Sequence, residues 1–264
     1  MSLIKKTPAK DLKLRVFAGP NGSGKSTVIK QVRLYKSGGI PIDFGYYVNA
    51  DDITVALNKN GFSFQSYKIN VVNEEFQKIA IASGLINKDF TVREFSKSYL
   101  LIKNKIILQT KAADGRQAQI ISDFLRKKLL TERKRFSFET VFSHESKLEI
   151  MKQAIKAGYK VYLYFVSTES PEINKYRVDL RKRKGGHDVP PEKIESRYFR
   201  SLELLYDACQ LSYQVFFFDN SEEEKPFKMF AHFKKSGAEK KWDDLSVDNY
   251  PEWFKTYYSK KVPR

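Results

Sequence analysis

Apolar positions along the chain follow two patterns, short continuous runs and longer segments with a helical period. Short runs rich in β-branched and aromatic residues predict buried strands, and segments whose apolar residues recur every three or four positions predict helices. Strands alternating with helices are typical of a parallel sheet covered on both faces. The predicted strands are Leu12–Ala18, Gly45–Val48, Phe136–Glu139, Lys160–Val166 and Tyr213–Phe218. The predicted helices are Lys25–Tyr35, Gln117–Leu130, Lys147–Ala157 and Pro191–Leu211.

One long stretch, Asp52–Arg116, interrupts this alternation. It contains two helical patterns, Asn73–Ser83 and Glu94–Thr110, with turn signals at Asn60-Gly61 and Asp114-Gly115. Ligand specificity in α/β folds is commonly built at the carboxyl ends of the strands. We therefore expect a helical insertion over about 52–116 that shapes a ligand site.

Composition narrows the class of protein. The chain has 264 residues, of which 41% are hydrophobic, so it can form a sizeable core. No apolar run approaches the ~20 residues that span a bilayer, and residues 1–14 lack the apolar core of a secretory signal. The single Cys209 excludes an internal disulfide, and its apolar helical setting predicts a buried structural thiol. These features predict a cytoplasmic protein without a membrane partner.

The formal net charge is +17, which raises the possibility of a nucleic-acid partner. Lysine and arginine are nevertheless spread along the chain. The basic segment Arg126–Arg135 is interpreted as the solvated face and last turn of a helix, where cations favour the helix dipole. Nucleic acid remains possible but is not favoured.

A glycine-rich segment between the first strand and the first helix fits the P-loop pattern G-x-x-x-x-G-K-[ST]. Its glycines let backbone N–H groups converge on phosphates, and the helix N-terminus adds a positive dipole end. Lys25 would contact the β- and γ-phosphates of ATP, and the Ser26 hydroxyl would bind Mg²⁺. The segment reads Gly19-Pro20-Asn21-Gly22-Ser23-Gly24-Lys25-Ser26-Thr27.

A P-loop indicates nucleotide binding but leaves the reaction open, since GTPases, motor ATPases and small kinases share it. The third strand ends in Glu139, where many ATPases carry an apolar run closed by Asp, and no guanine-reading Asn-Lys-x-Asp sequence follows. Both features favour a kinase.

The second strand is followed by two candidate polar residues, Asn49 and Asp51. A carboxylate at a strand end could accept the proton of an acceptor hydroxyl. Both residue types are also good helix N-caps, so capping and catalysis stay open for Asp51 on local grounds. Glu139 could fix substrate hydroxyls or pair with a nearby cation.

Two arginine-bearing helical patterns flank the Gly185-Gly186 pair and predict a lid over about 177–200. Arg177 and Arg181 are four residues apart and share a helical face. Arginines on a lid could neutralise charge on a transferring phosphoryl group, although a solvated basic helix pair remains the alternative. The remaining lid candidates are Arg183, Arg197 and Arg200.

Several ordered motifs together resemble the zeta-toxin family of P-loop kinases from the P-loop to about Trp253. Asn49-Ala-Asp51 stands where that family usually has Asn-Pro-Asp, and no antitoxin segment is fused to the chain. The matching pieces are Gly19–Thr27, Val48–Asp51, Phe138–Ser143, Arg177 to Pro190, Arg197–Leu202 and Asp219–Ser221.

The resemblance implies a P-loop NTPase-type three-layer α/β sandwich, with a mostly parallel sheet of five or more strands. Residues 1–264 would form one kinase domain, with a tail over about 221–264 containing a last strand or helix. It further implies an ATP- and Mg²⁺-dependent kinase acting on a nucleotide sugar such as UDP-N-acetylglucosamine, with an antitoxin as a possible partner. The implied roles are general base for Asp51, catalytic phosphate contacts for Lys25, Arg181 and Arg177, and substrate contacts for Glu139, Asn49 and Ser143.

Two alternatives remain at this stage. One is a nucleoside or polynucleotide kinase, which the net charge favours. The other is a non-catalytic ATP-dependent nucleic-acid-binding protein, whose affinity would fall steeply with salt concentration. The arginine pattern together with Asp51 argues against a mere nucleotide switch.

Overall fold

A computed structural model describes residues 12–109, 115–185, 189–223, 227–245 and 249–263. The described residues form two compact units. Unit 1 comprises residues 46–138, and unit 2 comprises residues 12–45 together with 139–263.

The elements alternate along the chain as strands and helices. The strands are β1 (Lys13–Ala18), β2 (Lys36–Ser37), β3 (Ile40–Pro41), β4 (Tyr46–Val48), β5 (Phe62–Ser63), β6 (Tyr99–Ile102), β7 (Lys105–Leu108), β8 (Phe136–Thr140), β9 (Lys160–Ser167), β10 (Gln214–Asp219), β11 (Lys228–Ser236) and β12 (Glu239–Trp242). The helices are α1 (Lys25–Leu34), α2 (Ala50–Lys59), α3 (Asn73–Ile81), α4 (Val92–Lys97), α5 (Gly115–Thr131), α6 (Ser146–Lys156), α7 (Pro171–Arg183), α8 (Pro191–Glu203), α9 (Leu205–Leu211) and α10 (Glu252–Tyr257).

The sheet of unit 2 has β1, β9 and β10 as parallel neighbours, followed by the antiparallel strands β11 and β12. One face of this sheet is aliphatic and aromatic, and Trp253 and Phe254 of α10 pack there against Phe165 and Phe217. The other face carries a row of stacked rings across the strands, Phe17, Tyr164, Phe216 and His232. Phe44 stacks on the first of these rings and Arg33 of α1 lies over Phe44, so elements cover both faces.

The arginine-bearing helices α7 and α8 of unit 2 are held to each other by a small apolar cluster of Val178, Val189 and Ile194. An ion pair of 2.5 Å between Lys175 and Glu195 adds to this contact. Burial of three aliphatic side chains stabilises the pair by several kcal/mol, about 1.5–3 for each fully buried side chain. The two helices therefore form one packed element.

Unit 1 contains the parallel pair β4 and β8, the three-stranded antiparallel sheet β5-β7-β6, and helices α2 to α5. Its core is aromatic, with Phe64, Phe76 and Phe124 in edge-to-face contact and fully buried. Helix α4 begins with a capping box between Thr91 and Glu94, which satisfies two otherwise unpaired N–H groups.

The structure confirms the predicted α/β class, a P-loop NTPase-type sandwich with a mostly parallel sheet. Each predicted strand is present, with its ends within one residue of the prediction. The single helix predicted over Pro191–Leu211 is divided at Leu204 into α8 and α9. The tail contains two strands and one helix, β11, β12 and α10.

The helix predicted over Glu94–Thr110 is wrong beyond α4. That segment forms the hairpin β6–β7, whose turn residues Lys103 and Asn104 have φ of 48° and 63°. Positive φ at both residues of a two-residue turn matches the twist of the two paired strands. The same backbone conformation is incompatible with a continuing α-helix. The insertion is therefore mixed rather than purely helical. The Asn60-Gly61 turn is confirmed, since Gly61 has φ of 86°, whereas Asp114 lies outside the described residues.

The basic segment Arg126–Arg135 is largely neutralised within unit 1. Arg126 pairs with Asp123 at 3.2 Å and is only 5% exposed, and its pKa is lowered mainly by burial. Lys128 pairs with Glu75 at 2.8 Å, and Lys134 pairs with Glu132 at 2.7 Å. These pairs leave less free charge for a phosphate backbone than the sequence suggests. Within the described ranges, no helix combines the length and apolar character needed to cross a bilayer.

Candidate nucleotide site

The P-loop joins β1 to α1 in unit 2, and close backbone packing makes its glycines necessary. Gly22 has φ of 77°, and a Cβ there would lie 2.6 Å from the Asn174 carbonyl oxygen. A Cβ on Gly19, where φ is 145°, would overlap the Val166 carbonyl oxygen. Left-handed conformation and lack of space together exclude other residues. The loop is thus pressed against the end of β9 and the start of α7.

Lys25 is the first residue of α1, and its side chain folds back along the loop. Its Nζ donates to the carbonyl oxygens of Gly19 and Pro20 at 2.8 Å each, and the residue is only 7% exposed. The charge is therefore held at the loop, where phosphate oxygens could replace the carbonyls. The Thr27 N–H donates to the Gly24 carbonyl at 3.0 Å, whereas the N–H groups of the first two helical residues precede any intrahelical acceptor, which favours an anion there.

Ser26 and Thr27 follow on the exposed side of the first turn. Mg²⁺ is usually held by one or two protein oxygens together with substrate phosphates and water. The exposed Ser26 hydroxyl fits that pattern. Among the described residues no cluster of three His, Cys, Asp or Glu could hold a metal.

The residue after β10, Asn220, contacts the P-loop directly. Its Nδ2 donates to the Ser23 carbonyl oxygen at 2.9 Å, and its backbone N–H donates to the Ser167 carbonyl oxygen at 2.9 Å. Asp219 just before it accepts from Trp253 Nε1 at 2.9 Å and from the Ser221 hydroxyl at 2.8 Å. The end of β10 is therefore hydrogen-bonded to the P-loop through Asn220 and to α10 through Asp219.

Close packing and hydrogen bonds together link the P-loop to the arginine-bearing helices. Asn174 of α7, whose backbone abuts Gly22, accepts from Thr168 Oγ1 at 2.5 Å. The Tyr198 hydroxyl of α8 donates to the Thr168 carbonyl oxygen at 2.7 Å. Burial is the largest cause that raises the pKa of Tyr198, so its hydroxyl stays protonated as the donor. Both helices are thereby anchored beside the P-loop.

The arginines on these helices differ in their surroundings. Arg177 donates to the Asn220 carbonyl oxygen at 2.6 Å, Arg183 pairs with Asp179 at 2.7 Å, and Arg200 donates to the Ser196 carbonyl oxygen at 3.1 Å. Arg181 is exposed, one turn beyond Arg177 on α7.

Arg197 of α8 is half-buried, and within the described part of the chain its guanidinium has no hydrogen bond or acidic partner. Burial, followed by repulsion from Arg200, lowers its pKa. A partly desolvated cation without a counter-ion gains most from a bound anion. Arg197 is therefore the strongest phosphate-binding candidate among these arginines.

Asn49 and Asp51 lie in unit 1 at the start of α2. Asn49 is the N-cap residue, and its Oδ1 accepts from the Asp51 N–H at 2.8 Å. Asp51 lies in the first turn, exposed, and its carboxylate makes no hydrogen bond or ion pair with any residue that the structure describes. The N-cap is therefore Asn49, and the Asp51 carboxylate is available to a ligand.

The Glu139–Ser143 segment leads from β8 to α6. Glu139 and Ser143 are half-buried, and between them the fully buried Phe142 has φ of 59°. A left-handed phenylalanine is strained, and such strain commonly accompanies functional turns. His144 Nδ1 accepts from the Ser146 N–H at 3.2 Å, which identifies it as a loop residue stabilising the start of α6.

Sequence reasoning missed the residues that connect these parts, namely Asn174, Thr168, Asn220, Tyr198 and Trp253. Asn220 follows a strand within one of the quoted motifs, so a polar residue at a strand end was an available signal. The others carry no sequence signal, because buried hydrogen bonds between distant residues leave no local pattern. Residues 186–188, which include Gly186 of the predicted hinge, lie outside the described residues.

Fold and site together define the class of protein as an α/β protein with a P-loop, and its fold is similar to that of solved structures. A structure of the AvrRxo1-ORF1:AvrRxo1-ORF2 complex with sulphate ions matches at a TM-score of 0.54 and 14% identity, covering 96% of this chain and 65% of that chain. The same complex with ATP matches at 0.51 and 15% identity, with the same coverage of 96% and 65%. A structure from the PezAT chromosomal toxin-antitoxin system of Streptococcus pneumoniae matches at 0.44 and 11% identity, covering 99% and 84%.

The AvrRxo1 matches confirm the predicted fold, and at these identities they extend to the fold alone. The chain spans 65% of the length of those two matching chains. No protein-family model and no curated protein matches this sequence.

Proposed function

We propose that the protein is an ATP-dependent small-molecule kinase of the zeta-toxin type. It transfers the γ-phosphoryl group of ATP to a hydroxyl of a nucleotide sugar such as UDP-N-acetylglucosamine. The observation that carries the proposal is a complete P-loop linked to α8 by hydrogen bonds through Asn220, Ser167 and Thr168. Helix α8 carries Arg197, whose guanidinium has no acidic partner among the described residues. A phosphate cradle together with a cation that can bind the transferring group suits phosphoryl transfer.

ATP and Mg²⁺ fit the residues present. Gly19, Gly22 and Gly24 adopt positive φ and so let the loop turn tightly, Lys25 supplies a charge, and Ser26 supplies a hydroxyl that could bind the metal. The similar AvrRxo1 complex was solved with ATP, which supports ATP as the nucleotide. Mg²⁺, when bound, neutralises phosphate charge and orients the β- and γ-phosphates.

We assign the stabilisation of the transferring phosphoryl group to three cationic side chains, Lys25, Arg197 and Arg181. Positive charge matters most where negative charge spreads over the equatorial oxygens during transfer. Arg197 is the first of the two arginines because none of the described acidic residues pairs with it, and Arg181 is the second because it lies one turn beyond the anchored part of α7. Arg183 and Arg200 remain lid candidates that already have partners within their own helices.

Asp51 is assigned as the general base. Its exposed carboxylate would accept the acceptor hydroxyl's proton as the new oxygen–phosphorus bond forms. The bond from the γ-phosphorus to the bridging oxygen breaks, and ADP leaves with that electron pair. Asn49, Glu139 and Ser143 are proposed to hold the acceptor.

We further propose that the protein binds an inhibitory protein partner. The AvrRxo1 structures are two-protein complexes, which supports an inhibitory partner such as an antitoxin for this chain. A kinase that consumes a cell-wall precursor would need such control.

The test is to incubate the purified protein with Mg²⁺, ATP and UDP-N-acetylglucosamine, and to detect a product heavier by one phosphoryl group by mass spectrometry. Asp51→Asn is expected to abolish the product while ATP binding persists. Asp52→Asn is the matched control, since it makes the same charge change in the same helical turn and should leave transfer intact. Undiminished transfer by Asp51→Asn would refute the assigned base. Phosphate appearing on an oligonucleotide end, and not on a sugar, would instead favour a polynucleotide kinase.

A further inference from the structure

The Asn220 side chain, which lies outside the loop and its helix, donates a hydrogen bond to a P-loop carbonyl. Its Nδ2 donates to the Ser23 oxygen at 2.9 Å, and the same amide group lies against Gly24, where an added Cβ would overlap it. Ser23 itself is fully buried. The contact therefore fixes the conformation of the P-loop at Ser23 and Gly24, immediately before Lys25.

Arg177 holds the other side of Asn220. Its Nη1 donates to the Asn220 carbonyl oxygen at 2.6 Å and its Nη2 to the Glu222 carbonyl oxygen at 3.4 Å. A guanidinium can hold two carbonyls with one rigid fork, which a lysine cannot do. The backbone after β10 is thus tied to α7, and its Asn220 side chain is tied to the P-loop.

A loop that binds phosphates through its backbone N–H groups gains affinity when those groups are already aligned. If the loop were free, ordering it would consume part of the binding free energy. The Ser23 carbonyl is the point where such ordering can be imposed, because it precedes the N–H groups of Gly24 and Lys25.

We propose that Asn220 and Arg177 form a clasp that holds the P-loop in its phosphate-binding conformation and thereby sets nucleotide affinity. This inference rests on the proposed function, and it makes both side chains positioning residues. Arg177 then belongs to the fixed base of α7. Any closure of the arginine-bearing segment begins beyond it, towards Gly185, whose φ is 82° and which has open space around it.

The test compares neutral substitutions at Asn220 in the full-length protein. Asn220→Leu keeps a side chain of similar shape but removes the Nδ2 donor. Asn220→Ala removes the donor and most of the side-chain volume. Binding of Mg²⁺–AMP-PNP and of inorganic pyrophosphate is measured by calorimetry, and KM for ATP and kcat are measured with the acceptor. The control is Asn249→Leu, an exposed residue of unit 2.

Both Asn220 variants are expected to bind AMP-PNP and pyrophosphate about ten-fold more weakly, since one lost hydrogen bond changes affinity by roughly that factor. KM for ATP should rise by the same factor with kcat nearly unchanged. Arg177→Ala should act in the same direction. A catalytic role for Arg177 would instead lower kcat and leave pyrophosphate affinity unchanged, which would overturn its place in the clasp.

The outcomes separate this inference from the proposed function. If the unsubstituted protein binds AMP-PNP and Asn220→Leu binds it equally well, Asn220 acts only by packing and the clasp is overturned while the kinase proposal stands. If the unsubstituted protein binds neither AMP-PNP nor pyrophosphate, both proposals are overturned.

Discussion

Replacing Gly22 by alanine tests whether the P-loop depends on close packing against α7. Two costs combine there. The φ of 77° costs an L-residue about 1–2 kcal/mol, and the Cβ at 2.6 Å from the Asn174 carbonyl forces a backbone shift worth on the order of 1–3 kcal/mol. Gly39→Ala is the matched control, because its φ is 80° and nothing lies within 4 Å. We expect Gly22→Ala to exceed Gly39→Ala by about 2 kcal/mol in lost free energy of unfolding.

Urea denaturation followed by tryptophan fluorescence measures this difference. The chain has two tryptophans, Trp242 and Trp253, and both lie in unit 2 with the P-loop, so the signal reports on that unit. Nucleotide binding should be lost in Gly22→Ala and retained in Gly39→Ala. Equal destabilisation by the two substitutions would show that only the backbone conformation matters, and the argument from close packing would fail.

Three further predictions concern single side chains of unit 2. Arg197→Met should lower kcat by about 10²–10³-fold without weakening AMP-PNP binding, while Lys193→Met on the same helix should have no effect; a reversed ranking would remove Arg197 from the transfer step. Tyr198→Phe should reduce the free energy of unfolding by about 1 kcal/mol, because it removes the shorter of two hydrogen bonds that the Thr168 carbonyl accepts, and an unchanged urea midpoint would contradict that. Cys209 is fully buried and burial raises its pKa, so a thiol reagent should label it only on denaturation; rapid labelling of the native protein would disprove the burial.

Local patterns were enough to predict much of the fold. Continuous apolar runs specify buried parallel strands because both faces of such strands are covered, and β1, β9 and β10 were found within one residue of their predicted ends. The Gly19–Thr27 motif was equally readable, because its glycine spacing is a local requirement of the turn. The hairpin β6–β7 was missed, since an apolar stretch with a helical spacing can also pair as strands when a neighbouring strand, β5, is available.

The sequence by itself determined that the chain has an α/β fold with a phosphate-binding loop, because those features depend on residues adjacent along the chain. Tertiary structure decided how the arginines differ. Arg177 and Arg197 look alike in the sequence, yet Arg177 donates to the carbonyl of Asn220, forty-three positions away. Arg197 is half-buried, and no acidic residue in the described part of the chain pairs with it. Charge and burial at a residue depend on groups brought together from distant positions, so only the folded chain separates an anchoring arginine from one available to phosphate.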